Sequence, residues 1–300
     1  MFSRHIPRMI LAALIGLAAP AWLAAQAASA PEIVPLGDLL GRVGQSQHRG
    51  GWFRDRCIYY QRVYMERFKN RSAEGNFEEL FYQRQTVAEV SADQSQEVIA
   101  RVISDTDGEL KPKKVSGNTR SLFGVPRFLE LLFFPLYPEM VGLYEITDLG
   151  VSSQDGQPVR ILRLYPRPGT EESSLVEGLI YLDPSTGAPI KLTIDRLHHF
   201  EALDSKLKGL LEFSATVTYR TLPNGVTVPS KAEGRGYSKI TRYNGYFRFT
   251  FEEWGYHANP LYPDVNPWFD KMPGFQDGSP PAADKPAGPE SPETPDGDRP

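Results

Sequence analysis

The residues best suited to chemistry are Asp195, His198, His199 and Glu201, which lie close together near the end of one segment. Imidazole and carboxylate groups are common zinc ligands and common acid–base groups of hydrolases. This segment alternates apolar and polar residues, however, and adjacent residues of a strand point to opposite faces of a sheet. His198 and His199 therefore cannot both face one ion unless a bulge intervenes. We expect a polar strand end here, with no metal and no cofactor.

The other motifs offer little to catalysis. Cys57 is the single cysteine, which excludes thiolate metal sites and an internal disulfide and favours a small buried side chain in a strand. Gly234 and Gly236 lie inside a strand pattern, with no following helix to bind a phosphate. The 37 acidic residues offer many carboxylate pairs, so a secreted hydrolase stays open as an alternative. The favoured interpretation is that the protein is not an enzyme.

The charge of the chain argues against a nucleic-acid partner. There are 33 basic and 37 acidic residues, a net charge of −4. The excess lies in residues 272–300, and the residues before them sum to zero. Such a neutral body is unlike the basic surface that nucleic acids require. Tyr59, Tyr60 and Tyr64 alternate with arginines, but pairing between neighbouring strands explains this pattern.

Strands must position these residues, because the dominant period of the chain is two. Phe247, Phe249 and Phe251, for example, alternate with polar residues, as expected for a strand with one buried face. Turn sequences such as Asp155-Gly156 and Asn224-Gly225 separate the runs. The pattern predicts a mainly β fold with antiparallel strands near residues 57–68, 78–90, 96–104, 143–150, 158–166, 175–183, 188–199, 209–220, 226–238 and 245–256.

Two helices are predicted beside these strands. The apolar spacing of residues 36–43 predicts a short helix that ends at Gly44. Residues 126–134 predict a second one, which Pro135 and Pro138 prevent from continuing. This second helix is apolar on all sides and must be covered on all sides. It either plugs the hollow of a curved sheet or covers another apolar group.

The two ends of the chain are predicted to lie outside the fold. Arg4 and Arg8 precede an apolar stretch, which predicts a signal peptide over residues 1–27. With no cysteine near the cleavage site to carry a lipid, we expect a soluble periplasmic protein. Residues 28–272 are predicted to form a single β domain. Residues 273–300 are rich in proline and acidic residues and are predicted to be a disordered tail.

Several segments resemble the LolA/LolB-like family of periplasmic lipoprotein carriers, which includes outer membrane lipoprotein-sorting proteins and the N-terminal domain of RseB/MucB regulators. The segments are residues 63–68, 178–183, 183–187, 189–192 and 222–229. The resemblance implies an incomplete antiparallel β-barrel of about ten to eleven strands, with an N-terminal helix and a short apolar lid or plug helix. It also implies an apolar cavity for acyl chains and no catalytic residues.

A carrier of acyl chains needs a dry hollow, because each buried methylene group contributes about 0.8 kcal/mol. Together with this requirement, the resemblance implies a binding protein for lipid or lipoprotein acyl chains that takes part in outer-membrane lipoprotein sorting or lipid transport, and we expect it to be a monomer. The inner- and outer-membrane lipoprotein machinery are candidate partners. A periplasmic sensor or interaction module on the same fold is the alternative. The predicted lid and cavity residues are Phe128, Leu129, Leu131, Leu132, Phe133, Phe134, Leu136, Tyr137, Ile190, Leu192, Phe213, Val217, Phe247 and Phe249.

Overall fold

The computed structural model describes residues 34–93, 98–108, 111–112, 118–119, 132–203, 205–239, 244–275 and 278. Contacts divide the chain into the units Met1–Glu32 and Ile33–Pro300, and all described residues lie in the second. The predicted signal peptide and nearly all of the predicted tail are outside the described residues, and so is most of the predicted second helix.

In these ranges twelve strands form one antiparallel sheet, in the order β4-β3-β2-β1-β12-β11-β10-β9-β8-β7-β6 with β5 paired to β3. All ten predicted strands are present, and their ends lie within four residues of the predicted ones. β4 and β6 do not pair with each other in the described residues, so the barrel is incomplete, as predicted. The strands are β1 (Cys57–Arg71), β2 (Phe77–Ala92), β3 (Val98–Gly108), β4 (Lys111–Pro112), β5 (Asn118–Thr119), β6 (Tyr144–Gln154), β7 (Gln157–Pro166), β8 (Leu175–Leu182), β9 (Pro189–His198), β10 (Leu210–Thr221), β11 (Thr227–Ser238) and β12 (Gly245–Ala258).

The hairpins turn at the residues that the sequence predicts. Asp155 and Gly156 connect β6 to β7 with φ values of 51° and 79°. Gly225, with φ of 80°, lies in the turn between β10 and β11. Positive φ at such positions matches the twist of the flanking strands, and glycine adopts it without steric cost. Local turn chemistry therefore accounts for the hairpins β6–β7 and β10–β11.

One pairing joins distant parts of the chain, because β1 lies beside β12 with Val63 opposite Phe251. From β1 the strands run outward to β3 and β4 at one edge, and the chain resumes at the opposite edge as β6. The last part of the connection between the two edges, residues 132–140, is called the crossover segment below. The inner face is the sheet face that carries Leu192, Val217 and Phe251, against which this segment packs.

The opening helix, α1 (Leu36–Asp55), is twenty residues long, so the prediction that it ends at Gly44 is wrong. Glycine costs a helix about 1 kcal/mol relative to alanine. Here Gly44, Gly50 and Gly51 are all buried, and the helix continues because this face packs closely on the protein. Packing of one face thus outweighs intrinsic propensity.

Two hydrophobic clusters stabilise the fold. The larger lies on the inner face between α1, the crossover segment and the strands. The smaller is built around Phe53, Cys57 and Tyr256 at the C-terminal end of α1. A short helix, α2 (Asn266–Phe269), closes the smaller cluster, with the ring centroids of Trp52 and Trp268 6.0 Å apart. Cys57 is fully buried at the start of β1, which confirms its predicted role.

The burial of Cys57 predicts an unreactive thiol. Loss of solvation, with a smaller contribution from Asp55, raises the pKa of this thiol, so the reactive thiolate does not form at neutral pH. We expect Ellman's reagent at pH 8 to label Cys57 only after unfolding in urea. An engineered thiol at exposed Ser152 (Ser152→Cys) is the control and is expected to react at once in the native protein. Full labelling of native Cys57 would contradict its buried placement.

Candidate ligand-binding site

The crossover segment forms part of the protein core. Residues 132–137 are all buried, and Leu136 is completely inaccessible to solvent. Leu132 and Phe133 are helical, and the helix does not continue to Pro135. The sequence predicts that this segment either plugs the hollow of the sheet or covers another apolar group. Its described part fills the hollow, as a plug does.

Two buried hydrogen bonds hold the backbone of the crossover segment. The hydroxyl of Tyr219 on β10 donates to the carbonyl oxygen of Phe133 at 2.5 Å. The side-chain oxygen of Gln47 on α1 accepts from the backbone N–H of Leu136 at 2.6 Å. Burial raises the pKa of the Tyr219 hydroxyl, which stays protonated and able to donate. The segment is thus attached to the sheet on one side and to α1 on the other.

Aromatic contacts add to these hydrogen bonds. The ring centroid of Phe133 lies 5.0 Å from that of Phe251, and the guanidinium of Arg54 lies 5.6 Å from the centroid of Phe133. Phe134 and Tyr137 stack on each other with their centroids 5.8 Å apart. Ring pairs at these distances are favourable beyond the area that they bury.

Glycines on α1 allow the segment and the sheet to approach the helix backbone. A Cβ atom at Gly51 would lie 1.9 Å from the hydroxyl oxygen of Tyr137. A Cβ atom at Gly50 would lie 2.3 Å from the backbone oxygen of Thr227 and 3.0 Å from the ring of Phe134. A side chain at either position would force α1 away from the crossover segment or from β11. The close contact across the core therefore explains why both positions are glycine.

The structure brings most of the predicted lid and cavity residues into one cluster. Leu192, Val217 and Phe249 are buried on the inner face together with the five predicted residues of the crossover segment. Phe213 and Phe247 are half-buried and pack against the same cluster, and Phe213 stacks on Phe249 with centroids 5.9 Å apart. Three further predicted residues lie outside the described residues: Phe128, Leu129 and Leu131.

Ile190 lies in a different place from the other predicted residues. It lines a cavity of about 500 Å³ between α1 and the strands β9, β10 and β11, which we call the α1 cavity. Sequence reasoning missed this cavity because it ended α1 at Gly44. The available signal was a second, polar stripe on the same helix, which continues past Gly44. Its residues are Arg42, Gln45, Ser46 and Arg49. The residues that line the cavity are Arg42, Gln45, Ser46, Arg49, Asp183, Thr186, Ala188, Pro189, Ile190, Tyr219, Thr221, Gly225 and Thr227.

A buried ion pair joins the C-terminal end of α1 to β12. The guanidinium of Arg54 contacts both carboxylate oxygens of Glu253, with Nη2 2.6 Å from Oε1. Gln61 and Tyr256 also donate to this carboxylate, at 3.3 and 2.7 Å. Glu253 is 2% exposed, so its charge depends on these donors rather than on water. No pattern of spacing connects residues so far apart in sequence.

The polar strand end that was predicted near His198 is present. His198 is the last residue of β9, and His199 follows with a left-handed φ of 54°. The Nε2 atom of His198 lies 2.9 Å from a carboxylate oxygen of Glu177 on β8. Among the described residues, no group of three or more His, Cys, Asp or Glu side chains could hold a metal ion.

Two comparisons with known proteins found no match. No family model matches the chain, and no curated protein matches it. Within the described part of the chain, no helix is long and apolar enough to cross a membrane.

Solved structures of similar proteins include a LolA superfamily protein from Nitrosomonas europaea, at 12% identity and a TM-score of 0.33, covering 77% of this chain and 97% of that one. A putative outer membrane lipoprotein-sorting protein domain from Vibrio parahaemolyticus has the same identity and coverages and a TM-score of 0.31. The Pseudomonas aeruginosa MucA/MucB complex matches at 12% identity and a TM-score of 0.21, over 72% of this chain and 92% of that one. All three are distant likenesses.

Proposed function

We propose that this protein is a non-catalytic periplasmic binding protein for lipid or lipoprotein acyl chains, which takes part in lipoprotein sorting or lipid transport. The observation that carries the proposal is the crossover segment. It is an apolar piece of chain that fills the inner face of an incomplete barrel and is attached there by two hydrogen bonds. If the segment withdraws, the apolar surface beneath it becomes available to another apolar chain.

The energies of this exchange are close to balanced. Burial of a large apolar side chain contributes about 1.5–3 kcal/mol, so displacing Leu132, Phe133, Phe134 and Leu136 costs about 6–12 kcal/mol. An acyl chain of about 14 methylene groups gains about 11 kcal/mol on burial. Since the two amounts are similar, uptake and release are both accessible. This balance suits a carrier, which must also give up its cargo.

The proposal assigns a role to each part of the predicted site. Leu192, Val217 and Phe249 line the floor that the acyl chain contacts, and Phe213 and Phe247 are its half-buried extension. The described residues of the crossover segment occupy this floor in the unliganded state and leave it in the liganded state.

Native mass spectrometry of the protein, purified from periplasm without detergent, tests the proposal directly. We expect an additional acyl-chain mass that is released on denaturation and recovered by lipid extraction. If the protein instead copurified with one membrane protein in a fixed ratio, and lipid extraction recovered no lipid, this result would contradict a carrier and favour the sensor alternative.

The Tyr219→Phe substitution tests the role of the crossover segment. It removes the hydroxyl that donates to the Phe133 carbonyl, which then remains buried without this bond at a cost of about 1–3 kcal/mol. Withdrawal of the segment returns that carbonyl to water, so the cost falls on the filled state alone. We expect the affinity for cis-parinaric acid, a fluorescent fatty acid, to rise about tenfold.

The matched control is Tyr165→Phe, which removes a hydroxyl from a half-exposed tyrosine on β7. This variant is expected to bind the probe as the unmodified protein does. Equal affinities for all three proteins would show that the crossover segment does not compete with the ligand. Failure of all three to bind the probe would contradict the proposed function itself.

A further inference from the structure

The α1 cavity is a groove partly open to solvent, with the exposed side chains of Arg42 and Arg49 on one side. Arg42, Gln45, Ser46 and Arg49 follow one stripe of the helix at spacings of three and four residues. The opposite wall is formed by the turn between β8 and β9 and by the adjoining parts of β9, β10 and β11. A volume of about 500 Å³ is in the range of small-molecule sites.

The charges of this cavity favour an anion. Arg42 and Arg49 contribute two guanidinium groups, and in the described part of the chain neither forms an ion pair with a carboxylate. Asp183 is the acidic residue of the lining, and its Oδ1 already accepts from the backbone N–H groups of Ser185 and Thr186 at 2.9 and 2.8 Å. Burial alone would raise the pKa of this carboxyl, but the hydrogen bonds from its own turn lower it. Positive charge therefore remains in excess in the cavity.

One of the two arginines is held in place by the protein. Arg42 donates from one guanidinium nitrogen to the backbone oxygen of Ser185. A guanidinium has five N–H donors, so this bond leaves others available and restricts the direction of the fork. Arg49 lies about two turns further along α1 and lines the same cavity. Both arginine side chains are exposed. Two arginine forks that face one cavity suit an oxyanion that accepts several hydrogen bonds at once.

Neutral donors and an apolar floor complete the lining. The hydroxyl oxygens of Thr221 and Thr227 are 2.9 Å apart, so one proton bridges them and the second hydroxyl proton is not used by that bond. Pro189, Ile190 and Tyr219 supply apolar surface to the same cavity. The cavity thus suits a ligand with a charged oxyanion and an uncharged organic part.

We propose that the α1 cavity binds the phosphate group of an organic phosphate, with Arg42 and Arg49 as its charged ligands. Two sources share this chemistry: the headgroup of a phospholipid and a soluble phosphate ester. The proposal does not rest on acyl-chain binding. Tyr219 is common to both sites, since it lines the α1 cavity and its hydroxyl donates to the crossover segment, but Arg42 and Arg49 take no part in the acyl-chain proposal.

Isothermal titration calorimetry of the full chain tests the proposal with two probes. Glycerol 3-phosphate represents a soluble ester, and dihexanoylphosphatidylglycerol below its micelle concentration represents a headgroup. We expect Arg49→Gln to weaken binding of the effective probe about tenfold or more, because a charge-assisted hydrogen bond is lost. We expect Arg49→Lys to retain part of the affinity through its charge. The matched control is Arg196→Gln, which removes an exposed arginine of β9 outside the cavity and is expected to leave binding unchanged.

Each outcome of the titration decides a point. Binding of glycerol 3-phosphate that Arg49→Gln weakens would support a site for soluble esters. Binding of the phosphatidylglycerol alone, with the same dependence on Arg49, would support a headgroup site. Binding of neither probe, or equal weakening by Arg49→Gln and Arg196→Gln, would overturn the proposal. None of these readouts uses a long acyl chain, so acyl-chain binding can fail while the phosphate site stands, or the reverse.

Discussion

Replacing Glu253 by glutamine is expected to lower the free energy of unfolding by about 3–5 kcal/mol. The substitution preserves the shape of the side chain but leaves the guanidinium of Arg54 buried without a counter-charge. Tyr256 also loses a charged acceptor, and burial raises the pKa of its hydroxyl so that it stays a donor. Urea unfolding followed by circular dichroism measures the effect.

The control for this variant is the neighbouring residue. Glu252 is paired with Arg62 at 3.0 Å, but both side chains are more than a third exposed. Water and salt screen such a pair, so Glu252→Gln is expected to cost about 1 kcal/mol or less. Equal losses at the two positions would mean that Glu253 is solvated, contrary to its burial on β12 against Arg54 of α1.

A double variant separates the ion pair from the space that it fills. Replacing Arg54 by Met together with Glu253 by Leu removes both charges and keeps most of the volume. Because apolar groups of similar size often replace a buried ion pair at little cost, we expect most of the lost stability to return. The difference between the double variant and the sum of its two component variants, Arg54→Met and Glu253→Leu, measures the coupling between the two side chains.

Replacing Phe133 by alanine is expected to lower the free energy of unfolding by about 3–5 kcal/mol. The ring of Phe133 is 1% exposed and packs between Phe251 and the guanidinium of Arg54. Its removal leaves a cavity in the larger hydrophobic cluster, which the rigid inner face cannot close completely. The same urea titration provides the measurement.

Phe81→Ala is the matched control for this second prediction. Phe81 is 44% exposed, and the guanidinium of Arg67 lies 5.1 Å from its ring centroid. Loss of such a contact is expected to cost about 1 kcal/mol or less. If Phe133→Ala were as mild as Phe81→Ala, the crossover segment would be a surface lid rather than part of the core.

The strands and hairpins were predictable because their causes are local. Alternation of apolar and polar residues specifies which side chains share a face, and it held along β12, where Phe249 and Phe251 are buried and the residues between and beside them are more exposed. Residues such as Asp155, Gly156 and Gly225 adopt positive φ, which makes each turn recognisable without knowledge of the rest of the chain.

The length of α1 and the α1 cavity were not predictable in this way. Gly44, Gly50 and Gly51 weaken a helix when read one by one, and they are tolerated because Leu136, Thr227 and Tyr137 pack against them. These partners are separated from α1 by long stretches of sequence. Arg42 and Arg49 became a pair facing one cavity only when the turn after β8 was placed beside the helix.

By itself the sequence determined the antiparallel meander, its turns and the apolar character of the crossover segment, since periodicity and backbone preference act over a few residues. The tertiary structure decided the pairing of β1 with β12, the plugging of the inner face and the contact between Arg54 and Glu253. These features depend on residues that are distant along the chain and come together only in the folded protein. The apolar composition of the crossover segment is a local property, but the side chains that it covers are set by the topology of the sheet.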